Sequence, residues 1–163
     1  MRFEQVFTYA WRHDPAEKGV SVLSVAHEPA EAGRPRRWLL LAGLPVFTEL
    51  LPFDDAGHAR EFARAVLALP PAPEPYEREF HLGESRTRTM AAGQVEERRF
   101  ATLWVGRDPA DDLRAYFAYQ SYFAFAGRPD MTSTGLEVVC DDVDVPRAHA
   151  EARALLAALD GAG

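Results

Sequence analysis

Residues 70–75 read Pro-Pro-Ala-Pro-Glu-Pro, four prolines in six positions. Proline fixes its own φ, lacks a backbone N–H and steers the residue before it away from helix. Neither a helix nor an inner strand can run through such a stretch, which is therefore an extended, semi-rigid connector. It separates residues 1–70 from residues 76–163. The whole chain, 163 residues, is about one domain long, too short for two independent cores and long enough for one well-filled core. The expectation is a single domain, 1–163, with sub-units 1–70 and 76–163.

The first part punctuates itself clearly. Phe3, Gln5, Phe7, Tyr9 and Trp11 alternate with Val6, Thr8 and Ala10, the period-2 pattern of a strand rich in aromatic residues. His13-Asp14-Pro15 breaks it, and Gly19 to His27 gives a second strand. After the Pro/Gly/Glu loop from Glu28 to Pro35, Arg36 to Ala42 and Val46 to Leu51 flank the turn Gly43-Leu44-Pro45. Asp54-Asp55 opens a helix that places Ala59, Phe62, Ala63, Val66 and Leu69 on one face before the prolines stop it.

The second part holds one real ambiguity. Tyr76 to Leu82, Arg86 to Met90 and Gln94 to Arg107 alternate as strands, Leu136 to Cys140 as a short buried one, and Asp144 to Leu159 as a closing amphipathic helix. Between them, Asp108-Pro109-Ala110-Asp111-Asp112 has the form of a helix start and Gly127 with Pro129 that of a helix stop. The spacing of these signals predicts a helix over Asp108 to Pro129. Tyr116, Phe117, Tyr119, Tyr122, Phe123 and Phe125 nevertheless favour strand, and several of them fit a period of 2.

That choice bears on the whole plan. The halves share a weak echo at an offset of 89 (Asp55/Asp144, Ala59/Ala148, Ala63/Ala152, Arg64/Arg153, Leu67/Leu156), much of it alanine in helices. With a strand over Leu113 to Phe125, both halves would read as four strands followed by a helix. Such a duplicated unit is similar in topology alone to Whirly-type single-strand-binding folds. In either case the fold class is α+β, mainly antiparallel sheet with two or three helices.

Composition narrows the function classes. With 18 Lys+Arg against 25 Asp+Glu the formal charge is −7, so the surface as a whole repels phosphate backbones and anionic lipid. Residues 108–163 carry ten of those acids and four of the cations, whereas residues 76–107 hold six cations and five acids. Cys140 is the single cysteine, which excludes an intramolecular disulfide and multi-thiolate zinc sites. Met1-Arg2-Phe3-Glu4-Gln5 lacks the pattern of a signal peptide, and the longest apolar stretch, Trp38 to Phe47, is too short to span a bilayer. A soluble, cytoplasmic protein without membrane contact is the expectation.

No motif announces chemistry. The sequence has no nucleophile elbow, no Gly-x-Gly-x-x-Gly and no Walker loop, and Asp141/Asp142/Asp144 fail the EF-hand spacing because Arg147 and Arg153 stand where Gly and Glu are required. Asp54/Asp55, Asp111/Asp112 and Asp141/Asp142/Asp144 are better explained as carboxylates at helix starts. His58 with Glu61 reads as a surface or capping pair and Cys140 as a core residue. No catalytic residue, metal ligand or cofactor site is assigned, and catalysis is disfavoured.

Two groups remain as binding candidates. Tyr116, Tyr119, Tyr122 and Phe125, on a helix hydrophobic nearly all round, suit the core or a protein interface. Arg36, Arg37 and Trp38, with Arg86, Arg88, Arg98, Arg99 and Trp104, interleave cations and aromatics as single-stranded nucleic acid requires. The leading expectation is a binding protein acting on a protein partner or its own copy, as a homo-oligomer such as a dimer. Single-stranded DNA or other nucleic acid is the alternative, and a small-ligand pocket the third reading.

Overall fold

The computed structural model describes residues 2–91, 93–125 and 127–161, with the side chains of residues 88, 90 and 128–131 left out. In chain order the elements are β1 (Glu4–Trp11), β2 (Ser21–His27), β3 (Trp38–Leu44), β4 (Phe47–Pro52), α1 (Ala56–Leu67), β5 (Tyr76–Met90), β6 (Gly93–Arg107), a 3₁₀ turn (Pro109–Asp111), β7 (Ala115–Phe125), β8 (Arg128–Cys140) and α2 (Val145–Gly161). Each half is an antiparallel meander, β1-β2-β3-β4 and β5-β6-β7-β8, followed by one helix. The α+β class with two helices is as read from the sequence. β5 runs unbroken through Gly83, where two shorter strands were expected.

The helix expected over Asp108 to Pro129 is a single turn and a strand. Asp108 does cap, accepting from the Ala110 N–H at 2.8 Å, with Pro109 in the first position. Asp112 and Leu113 then take φ of 52° and 56°, the left-handed region, which ends helical propagation after one turn. Beyond it β7 pairs on both edges, Phe117 opposite Val105 of β6 and opposite Cys140 of β8. Two ladders, with Phe117 and Tyr119 fully buried, outweigh what an isolated helix of this composition offers. Gly127, at φ 76°, belongs to the β7–β8 turn.

The expected aspartate caps are in place. Asp55 accepts from the His58 N–H at 2.8 Å and Asp144 from the Arg147 N–H at 3.2 Å. These are corresponding positions in the sequence echo, and Ala59/Ala148 and Ala63/Ala152 are likewise paired as fully buried residues of α1 and α2, which pack on each other. Small side chains there permit close helix approach. The helices run antiparallel: Arg60 near the start of α1 pairs with Asp160 near the end of α2, and a ring nitrogen of His149 near the start of α2 lies 3.0 Å from the carbonyl of Leu69 just past α1.

One core serves both halves. Phe7 of β1 meets Phe62 of α1 edge-on at 5.3 Å and Phe117 of β7 at 6.4 Å, while Phe62 also touches Phe80 of β5 at 5.9 Å. The sheets face each other across this core. Arg37, just before β3, reaches Glu84 of β5 at 3.5 Å, whereas the middle of β4 reaches β7 through Glu49 and Tyr119. The β3–β4 hairpin therefore crosses the inner face of the second sheet. In the other direction Trp11 Nε1 of β1 donates to the carbonyl of Val139 on β8 at 3.1 Å. No helix among the described residues is long and apolar enough to cross a membrane.

Candidate functional site

The strands of the second sheet are longer than the core needs, and the excess is where function can sit. β5 and β6 are 15 residues each, and past Leu82 and Ala101 their inner face continues in charged and aromatic side chains. Cross-strand register fixes which residues meet. Glu84 stands opposite Arg99, which stands opposite Phe123; Arg86 stands opposite Glu97, which stands opposite Phe125. Arg99 binds Glu84 at 3.3 Å and lies over the Phe123 ring at 5.5 Å, and Arg86 Nε donates to the buried Glu97 at 2.7 Å. The Glu97 hydrogen bond raises the already high pKa of Arg86. An open groove of about 350 Å³ is lined by Arg86, Glu97, Phe123, Phe125 and Ser133.

Where the β3–β4 hairpin crosses this face, Glu49 is buried to 3% exposure and its Oε2 accepts from the Tyr119 hydroxyl at 2.9 Å. Burial, reinforced by the Glu49 carboxylate, holds the Tyr119 hydroxyl far above the ordinary tyrosine range. Ser121 Oγ accepts from the Leu136 N–H at 2.8 Å, closing the irregular pairing of β7 with β8. The inner face is thus a set of matched charges. Arg86 is committed to Glu97 and Arg99 to Glu84, Arg37 bridges Glu28 and Glu84, and Glu49 is held by the Tyr119 hydroxyl instead of a cation.

The outer face is different in kind. Alternation sends Trp104, Thr102 and Phe100 of β6 and Ala118, Gln120 and Tyr122 of β7 outward. Phe100 is 41% exposed and stacks on Tyr122 with ring centroids 5.4 Å apart. Gly83 opposite Phe100 leaves a shallow recess bordered by Ser85 and Arg98. Glu77 and Glu79 border the β5 side and Glu137 the β8 side, each exposed. Arg98 also points outward, paired with Glu96 at 3.3 Å. Tyr116 donates to Glu77 at 3.4 Å, and burial together with that carboxylate pushes its hydroxyl up to about 12.

The sequence candidates are divided among these surfaces. Of the interface group, Tyr116 and Tyr122 lie on the outer face, whereas Tyr119 and Phe125 lie on the inner one, because a strand sends alternate residues to opposite sides. Of the basic group, Arg86 and Arg99 face inward and Arg98 and Trp104 outward. Trp38 is buried against His27 at 4.9 Å, Arg37 is ion-paired and Arg36 is exposed. The side chain of Arg88 lies outside those described. The structure does not gather either group on one surface.

Glu49 was missed in the sequence, although its place between Phe47 and Leu51 on the alternating inward register was the signal. His58 lies edge-on to Phe53 at 5.4 Å as a packing residue. Cys140 is buried, which pushes its thiol up to about 11 and leaves it a poor nucleophile. Among the described residues no group of three or more His, Cys, Asp or Glu side chains is placed to hold a metal ion. The chain matches no protein-family model, no curated protein and no solved structure.

Proposed function

We propose that the chain is a non-catalytic, cytoplasmic binding protein that acts by contact with a protein partner through the outer face of its second sheet. The observation that carries this reading is the stack of exposed Phe100 on half-buried Tyr122, in line with half-buried Trp104, on a face whose side chains stay half-buried or exposed. Aromatic side chains framed by polar ones are the usual anchors of protein interfaces. A different protein fits better than a second copy, since a copy would present the same excess of carboxylates. The test is capture from native lysate with wild type, Phe100→Asp and Trp104→Ala, alongside light scattering. Retention by wild type and loss by both variants is expected; a monomer that retains nothing counts against the reading.

Single-stranded nucleic acid is the second reading, favoured by one observation: both halves have the same four-strand-plus-helix order. Against it, Arg86, Arg98 and Arg99 each have a carboxylate partner within 3.3 Å, so little positive charge is left for phosphates. Absence of oligonucleotide retardation at low salt would end this alternative.

A further inference from the structure

The chemistry of the outer face goes further than the statement that it binds protein. Trp104 and Phe100 are four residues apart on β6, so the aromatic row spans about 13 Å along the strand. Across the sheet, Glu79 stands opposite Trp104 on one edge strand, and Glu137 stands opposite Gln120 on the other. Three inter-strand steps and an offset of two residues along the strands place those two positions about 16 Å apart, one on each side of the row. Among the described side chains the face carries Glu77, Glu79, Glu96 and Glu137 against Arg98, which is occupied by Glu96, and His81, whose Nε2 lies 3.1 Å from Glu79; Glu77 accepts from Tyr116, and each of these carboxylates remains exposed for further contacts. Exposed rings with flanking carboxylates attract one kind of side chain above others: a cation with a flat, apolar face.

We infer that the partner presents an arginine-rich segment to this face, with guanidinium groups stacking on Trp104, Phe100 and Tyr122 and pairing with Glu77, Glu79 and Glu137. The inference rests on the protein-binding reading and names the partner's chemistry. Guanidinium suits the site better than ammonium because it is planar, weakly hydrated and able to engage a ring and a carboxylate at once. The surface area is also in proportion, since a face of these dimensions accommodates four or five residues of extended chain. The same carboxylates speed encounter with a cationic partner and repel acidic ones, which gives selectivity as well as attachment.

The experiment uses the full chain and a fluorescent nonapeptide of arginine, with lysine and glutamate nonapeptides for comparison, followed by anisotropy at low and moderate salt. Arginine should bind more tightly than lysine, glutamate should not bind, and salt should weaken the complex. Glu77→Gln/Glu79→Gln/Glu137→Gln should weaken arginine binding at least about tenfold, the scale of removing several charge contacts. Asp54→Asn/Glu61→Gln/Glu74→Gln removes three exposed carboxylates elsewhere with the same change in net charge and should have little effect. Trp104→Ala should weaken the arginine peptide more than the lysine peptide, circular dichroism first confirming that it folds.

No arginine binding, or equal weakening by the two triple variants, overturns the inference, since the second result is the general pull of an acidic protein. The two levels separate cleanly. If Phe100→Asp loses the lysate partner but the arginine peptide fails to compete for it, the face stands and its arginine specificity falls. If Phe100→Asp leaves that partner bound, the face itself is wrong.

Discussion

Removing one hydroxyl should cost this protein a large share of its stability. In Tyr119→Phe the ring still fills its place in the core, but the Glu49 carboxylate, 3% exposed, loses the donor that sits 2.9 Å from Oε2. Its Oε1 already has no hydrogen-bond partner among the described residues. A hydrogen bond to a charged group contributes about 1.5–3 kcal/mol, and stranding a buried charge costs about 3–5 kcal/mol. A loss of about 2–4 kcal/mol is therefore expected, allowing for some relaxation of the hairpin toward solvent. With a urea slope of about 2 kcal/mol per molar, the midpoint should fall by about 1–2 M. Glu49→Leu combined with Tyr119→Phe removes both polar partners together and should recover much of the loss. Urea unfolding of wild type, both singles and the double closes the cycle. A cost below about 0.5 kcal/mol for Tyr119→Phe, or a double equal to the sum of the singles, would refute the view that Glu49 and Tyr119 clasp the two sheets.

Three further outcomes follow from the same structure. Tyr9, Tyr76, Tyr116, Tyr119 and Cys140 all have raised pKa values in the folded state, burial being the first cause for each. The unfolded chain therefore releases these protons first, so this contribution to stability is complete below pH about 8 and is lost above it, the thiol first and the tyrosines from about pH 9, by up to about 1.4 kcal/mol per pH unit for each group in transition. Melting temperatures that stay flat from pH 8 to 11 would contradict this. Asp55→Ala and Asp144→Ala each remove a helix cap and should each cost about 1 kcal/mol, read as thermal shifts. In Gly106→Ala the new Cβ would lie 2.3 Å from the carbonyl oxygen of Tyr76 and 3.0 Å from the Tyr116 hydroxyl, so β5 must shift. A loss of about 1–3 kcal/mol is expected, and a neutral effect in urea unfolding would show that the strand pair yields freely.

By itself the sequence determined most of the elements, since their signals are local. Alternating apolar residues set β1 to β4, aspartate caps and buried alanines set α1 and α2, and the proline run set the division between halves. Tertiary structure decided residues 113–125. Asp108-Pro109 and Gly127 are turn chemistry that opens a helix or a hairpin equally well, and the aromatic run became a strand because β6 and β8 lay ready on either side of it. The site was hidden for the same reason. In the sequence, Arg86 and Arg99 are cations among aromatics; only the β5–β6 register sets them opposite Glu97 and Glu84 and neutralises them. Period 2 places a side chain on one of two faces, but which face is covered, and which carboxylate waits across the ladder, depends on contacts between residues far apart in the chain.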